Sequence, residues 1–363
     1  MSLDELDTTT SLRTGHLAPS RNAMLHETSA AVATSVALGR TRRSRRRRVV
    51  ITMLVVGVVV AFAVTLMVGN TFYSPAEVIR VVLGQDVPGA TFAVGRLRLP
   101  RGVLAIAAGA CFGFGGVTFQ TMLRNPLASP DIIGITSGSG AAAVFAIVML
   151  SLSRTQVSIV AIAAGLAVAL LVYTLSFKDG VGGTRLILIG IGVSAMLNSV
   201  TAYVLSQAAE WDLQQAMRWL AGSLNGTSWS DTVPVLVAMV VLVPTLLVQS
   251  RNLQMIQLGD DTAGALGLRV ERTRIVAIIA AVGLIAFATA ACGPIAFVAF
   301  LAGPIAARLI GTGASLLVPS ALVGALLVQV ADMCGQFAFD TRYPVGVVTG
   351  VLGAPYLIYL IIR

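Results

Sequence analysis

The side chains able to do chemistry in this chain are few, and their types exclude most reactions. Lys178 is the only lysine among 25 basic residues, and no Gly-x-x-x-x-Gly-Lys-Ser/Thr phosphate loop occurs, so the chain is not itself a P-loop ATPase. Both histidines, His16 and His26, precede the first apolar run, which removes haem ligation by histidine and His-rich metal sites from everything after it. No HExxH or GxSxG is present. Cys111, Cys292 and Cys334 are odd in number and without CxxC spacing, and read as small buried hydrophobes. Asp332 is the clearest ionisable residue placed well inside an apolar stretch. The expectation is a chain with no catalytic residue, no metal ligands and no cofactor.

Polar chemistry is concentrated instead in patterned stretches between apolar ones. Arg96, Arg98 and Arg101 cluster next to a predicted helix start. The stretch 123–134 follows, carrying Asn125, Pro126, Leu127, Asp131 and Gly134, and its two prolines, Pro126 and Pro130, prevent one helix from running straight into the next. The stretch 257–274 is too polar to cross a membrane. Within it Asp260 and Asp261 suit a helix N-terminus, Ala263, Leu266 and Gly267 offer a small apolar face, and Gly267 suits a C-terminal stop. Pro294 and Pro304 are placed to kink or break a span.

The elements that must hold these residues are apolar helices. Of 363 residues 56% are hydrophobic and 11% charged, outside what a soluble domain keeps in water. Runs of ~20 apolar residues, the length that crosses ~30 Å of hydrocarbon, recur after Val49. Ten can be drawn: 49–70, 101–123, 133–152, 155–177, 184–205, 231–250, 273–291, 293–310, 314–338 and 344–362. This predicts an all-α, polytopic transmembrane bundle of about ten helices forming a single domain over 49–363. Small residues at four-residue spacing, such as Gly109 with Gly113 and Gly134 with Gly138, let backbones approach closely in lipid.

The net charge of +9 is not a nucleic-acid signal. Residues 1–48 hold nine arginines and four acids, which places +5 of it in the tail. The block 42–48, directly before the first apolar run, reads as a cytoplasmic flank with affinity for anionic headgroups of the bilayer. An even number of spans then puts both termini in the cytoplasm. Residues 1–48 read as a disordered basic cytoplasmic tail.

Taken together, Arg98-Leu-Pro-Arg101, Arg124-Asn-Pro-Leu-Ala128 with Asp131 and Gly134, the loop 258–267, Gly293-Pro-Ile with Phe297, and Pro344-Val-Gly with Gly353-Ala-Pro355 resemble, in order, the FecCD-type permeases of iron-siderophore, haem and cobalamin ABC importers. The likeness runs from about Val49 to Arg363. It implies a fold like that of the cobalamin-importer permease, in the inner membrane. It also implies a second permease subunit, identical or paralogous, two cytosolic ATPase subunits and an external substrate-binding protein. ATP hydrolysis would reside on the ATPases and the cargo would be an iron-siderophore-type chelate, with haem or cobalamin as alternatives. By position, Arg98 and Arg101 are similar to arginines that dock the binding protein. The stretch Gly259, Asp260, Asp261, Ala263, Leu266 and Gly267 is similar to the coupling helix seated on the ATPase. Ser194 and Asn198 fall on a helix similar to the one lining the translocation pathway.

Three positions depart from the family pattern. Gly303-Pro304 stands where many relatives have Pro-His. Gln336 stands four residues after Asp332 where an arginine is common, and Arg342 replaces a glutamate two residues before the Pro-x-Gly turn. Arg342 is the expected replacement for a positive docking charge. The alternative from another class is an ion-coupled secondary transporter, which the scarcity of intramembrane carboxylates disfavours.

Overall fold

The computed structural model describes residues 21–176, 183–311 and 313–362. Lys178, the first twenty residues and Arg363 lie outside that set. Every described element is helical. In chain order they are α1 (Arg21–Met67), α2 (Pro75–Val82), a π-helical stretch (Thr91–Arg98), α3 (Leu99–Met122), a 3-10 turn (Pro130–Ile133), α4 (Ile135–Val148), α5 (Arg154–Ser176), α6 (Gly183–Ser206), α7 (Glu210–Leu220), α8 (Trp229–Val248), α9 (Ser250–Ile256), α10 (Asp260–Ala265), α11 (Val270–Cys292), α12 (Val298–Ile310), α13 (Leu317–Phe337) and α14 (Val345–Ile362). Seven of these helices are long and apolar enough to cross a membrane, and three shorter apolar ones, within α4, α12 and α14, join them. Each of the ten apolar runs in the sequence corresponds to one of the ten.

Two local differences from the sequence reading have physical causes. α1 continues back to Arg21, so residues 21–48, expected to be disordered, are helical; Ala and Arg, which dominate there, are strong helix formers. Residues up to Val49 and residues from Val50 form two separate units. The arginine cluster, expected just before a helix, lies inside one, because the π-helical stretch leads directly into α3. Pro100 has no amide for the carbonyl four residues back, and the wider winding just before it accommodates that missing bond.

α3 is the centre of the bundle. It packs against α13, α11, α12 and α8, and 89% of its most apolar window is buried, against 11% for α6. Its alanines and glycines let four helices crowd it, and Leu104, Cys111, Val117 and Phe119 are wholly enclosed. Cys111 and Cys292 are buried and Cys334 half-buried, all three unpaired.

Short polar helices turn the chain between spans. α2 begins with a capping box: the Ser74 amide and hydroxyl donate to Glu77, both at 2.8 Å. The bond from that backbone amide, more than any other influence, holds the Glu77 carboxyl below its ordinary range. α12 starts only after an irregular stretch at 293–297, with Gly293 at φ 73° and Phe297 at φ 64°. Such irregular backbone within a membrane domain is tolerated where protein or a cavity satisfies it. Here the Cys292 carbonyl accepts from the Ser223 amide at 2.7 Å, and residues 294–297 line a cavity.

Candidate functional site

Arg342 comes from a distant part of the chain to join Arg98 and Arg101, and the three line one cavity of about 260 Å³ with Asn70 and Gln336. Their engagements differ. Arg98 is spent on the end of α1: Nη1 donates to the Leu66 and Met67 carbonyls, both at 2.9 Å, and Nη2 to the Thr71 carbonyl at 2.6 Å. Its guanidinium also lies 5.0 Å from the centre of the Tyr73 ring. The Leu66 and Met67 carbonyls lie in the last turn of α1, so Arg98 acts as a C-terminal cap and also holds the segment that follows through Thr71.

Arg101 forms a bidentate pair with Asp332, Nε to Oδ2 at 2.9 Å and Nη2 to Oδ1 at 2.7 Å, and its Nη1 donates to Asn225 Oδ1 at 2.8 Å. Asp332 is 4% exposed, and Gln336 Nε2 donates to its Oδ2 at 2.8 Å. A buried carboxylate therefore has a full set of donors from α3 and its own helix. Arg101 neutralises Asp332, and Gln336, a neutral donor, completes the set without a second cation. Arg342 is the least committed of the three. Its Nη2 donates to Asn70 Oδ1 at 3.0 Å, and no carboxylate lies within ion-pair distance among the described residues. It also borders a second cavity of about 460 Å³ that carries Arg154 and Arg218.

An apolar cavity of about 430 Å³ lies between the 127–136 region and the 293–300 region, with Phe112 and Ile285 in its wall. Leu127 and Asp131 line it; the sequence marked both only as parts of a turn motif. The turn is built locally. Asn125 Oδ1 accepts from the Leu127 amide at 2.9 Å, Ser129 donates to Asp131 Oδ2 at 3.0 Å, Thr136 donates to Asp131 Oδ1, and Gly134 reverses the chain at φ 85°. Pro126 precedes Leu127 in the same turn. Ser194 lies against Gly134, its hydroxyl buried and without a partner among the described residues, whereas Asn198, one turn further along α6, is exposed. Neither lines the cavity.

The structure accounts for Gly303 in the same region. Gln120 on α3 donates from Nε2 to the Phe300 carbonyl at 2.9 Å, and a Cβ at Gly303 would collide with Gln120 Oε1. A larger residue at 303 would have to displace this glutamine. Gly303→Ala is expected to destabilise the protein by about 1–3 kcal/mol through overpacking, read as a lower melting temperature in detergent, with Gln120→Ala restoring it in the double variant.

At the other end of α3 lies the predicted coupling segment. α10 is a six-residue helix with Gly259, at φ 109°, as N-cap, and Gly267, at φ 87°, just beyond its C-cap Leu266. The expected apolar face is divided: Ala263 is wholly buried and Leu266 is 58% exposed. Asp261 is exposed. Asp260 is paired through both oxygens, with Arg274 at 2.9 Å and Arg124 at 3.3 Å. No spacing rule signals these partners, since neither is a helical neighbour of Asp260.

Comparison with known proteins agrees with this architecture. Residues 53–363 match the model of the FecCD transport family. The ferric enterobactin transport system permease protein FepG of Escherichia coli K12 is 39% identical over 88% of this chain and 97% of its own length. The achromobactin transport system permease protein CbrC of Dickeya dadantii is 39% identical over 86% and 89%. A solved inward-facing metal-chelate-type ABC transporter superposes with a TM-score of 0.78 at 28% identity, covering 86% of this chain and 98% of its own. The order of motifs, the ten apolar helices and matches running almost the whole length of these relatives lead to one conclusion: the chain belongs to the FecCD transport family.

Proposed function

We propose that this chain is the permease subunit of an ATP-driven importer that moves an iron-siderophore-type chelate across the inner membrane. It would work with a second permease subunit, two cytosolic ATPases and an external binding protein. The observation that supports it best is the placement of the candidate sites at opposite ends of one buried helix. α3 has 24 residues and is ~36 Å long at about 1.5 Å per residue, enough to cross the hydrocarbon core. The cavity lined by Arg98, Arg101 and Arg342 adjoins its first turn, and Arg124, just past its last turn, holds α10 through Asp260. With both termini cytoplasmic, the arginine cavity faces outward and α10 faces the cytosol.

In this reading Arg342 supplies the available positive charge for acidic residues of the binding protein, with Arg98 and Arg101 shaping the cavity around it. α10 seats in the ATPase, with Leu266 and Asp261 facing that partner. The cavity between the 127–136 and 293–300 regions, with Ser194 and Asn198 on the adjacent α6, belongs to the pathway. The permease does no covalent chemistry; ATP-driven closure of the ATPases would rock the two permease halves between outward- and inward-facing states. The siderophore reading rests on relatives named for ferric enterobactin and achromobactin. A cobalamin import permease of Halobacterium salinarum, 35% identical over 74% of this chain, makes cobalamin the second candidate.

Uptake into vesicles is expected to require ATP and the added ATPase and to be insensitive to ionophores; uptake driven by an ion gradient alone would refute the proposal. Arg342→Glu is expected to weaken binding-protein docking by about tenfold or more, because it sets like charges against each other. Titration of the binding protein onto the reconstituted permease reads this directly, and unchanged affinity would remove Arg342 from the docking face.

A further inference from the structure

Resting on the reading of α10 as the coupling helix, we propose that Asp260, Arg274 and Arg124 form an ionic latch that makes α10 move as one body with the ends of α3 and α11. α10 has little else to hold it. It is six residues long, its N-cap is a glycine with no side-chain cap, and among its own residues only Ala263 is buried. Leu258 and Leu266 on either side are mostly exposed. A helix so lightly anchored would roll under a push from a partner.

The latch removes that freedom through geometry. Arg274, in the first turns of α11, is 9% exposed, so its guanidinium is fixed by its surroundings, and its Nη2 meets Asp260 Oδ2 at 2.9 Å. Its Nη1 is 3.5 Å from Glu271 Oε2, and Glu271 Oε1 accepts from the Tyr173 hydroxyl at 3.5 Å, which extends the contact to α5. The other oxygen of Asp260 takes Arg124 at 3.3 Å. Arg124 directly follows the C-cap of α3 and sits at φ 52°, a left-handed conformation that a side-chain-bearing residue adopts only when its surroundings require it. One carboxylate thus joins α10 to two of the most buried spanning helices. A displacement of α10 is thereby passed to α3, whose far end carries Arg101 and the arginine cavity.

The test uses the complete complex of this chain with its ATPase in vesicles, and needs no cargo. A single reporter cysteine, Leu357→Cys in a background with Cys111, Cys292 and Cys334 replaced, lines the cavity between the 127–136 and 293–300 regions. Its maleimide labelling rate is measured with and without ATP and vanadate, alongside ATP hydrolysis. Asp260→Asn is expected to keep the ATPase bound and hydrolysing while the nucleotide-dependent change in labelling falls about fivefold, the worth of one half-buried charge pair. Asp260→Glu, which keeps a carboxylate between the two arginines, is expected to retain most of that change. Nucleotide-dependent labelling as large in Asp260→Asn as in the parent would overturn the latch. So would loss of the ATPase from Asp260→Asn, which would make Asp260 a docking contact. Failure of the underlying reading is separately visible: Leu266→Arg, outside the latch, would then leave the ATPase bound and coupled.

Discussion

Asp332→Asn is expected to cost about 3–5 kcal/mol, because it removes one member of a buried pair and leaves the other charge uncompensated. Arg101 gives two of its nitrogens to Asp332, at 2.9 and 2.7 Å, and is itself only 16% exposed, so water reaches it only from the cavity side and compensates the lost carboxylate poorly. The Asn225 oxygen would be the remaining acceptor among its hydrogen-bond partners, apart from the new amide. The readout is the melting temperature and the yield of monodisperse protein in detergent. Arg101→Met should be comparably damaging, and the double variant Arg101→Met with Asp332→Met should recover much of the loss, since a buried pair replaced by apolar groups is often near neutral. That cycle also separates two roles for Arg101. If its purpose were to meet an acidic residue of a binding protein, Arg101→Met would reduce docking and leave the melting temperature alone. The bidentate geometry points to the opposite pattern, with stability lost in Arg101→Met and docking lost in Arg342→Glu.

How far the sequence reveals this molecule depends on whether a feature is local. The ten apolar helices are readable because hydrophobicity over ~20 residues is a property of a continuous stretch. The turn at Asn125 to Gly134 is readable for the same reason: its bonds span no more than five residues. The α10 helix and its glycine stop were also set by local signals. The partners of the charged residues were not. Asp332 stands out as the clearest ionisable group deep in an apolar run, yet its partner lies 231 residues away, and no spacing rule connects them. Arg98 is similar by position to a docking arginine, and nothing in its own stretch shows that the α1 terminus ends within reach of its guanidinium. The departures Gly303 and Gln336 likewise acquire their reasons only from Gln120 and Arg101 across helix contacts. In the sequence they could be marked as departures but not explained.

Gly113→Leu is expected to abolish accumulation of folded protein, and Gly113→Ala to lower its melting temperature by an amount equivalent to about 1–3 kcal/mol or more. A Cβ at Gly113 would strike the Ser320 carbonyl, and one at Gly109 the Gly324 carbonyl; the Gly324 position in turn faces the Gly109 carbonyl. These obstacles are backbone atoms of two helices in contact, which cannot rotate away as a side chain can. In a bilayer such close approach is itself a main source of helix association, because lipid is as apolar as the side chains and supplies no hydrophobic drive between helices. Forcing α3 and α13 apart would remove that packing along their length. It would also strain the Arg101–Asp332 pair, which bridges the same two helices. Gly350→Ala on α14 is the control, since a Cβ there meets nothing within 4 Å and alanine favours the helix. Gly113→Leu protein as abundant and as heat-stable as Gly350→Ala would show that the α3–α13 contact does not hold the bundle together. The arginine cavity and α10, tied through opposite ends of α3, would then lack the rigid connection that the coupling scheme requires.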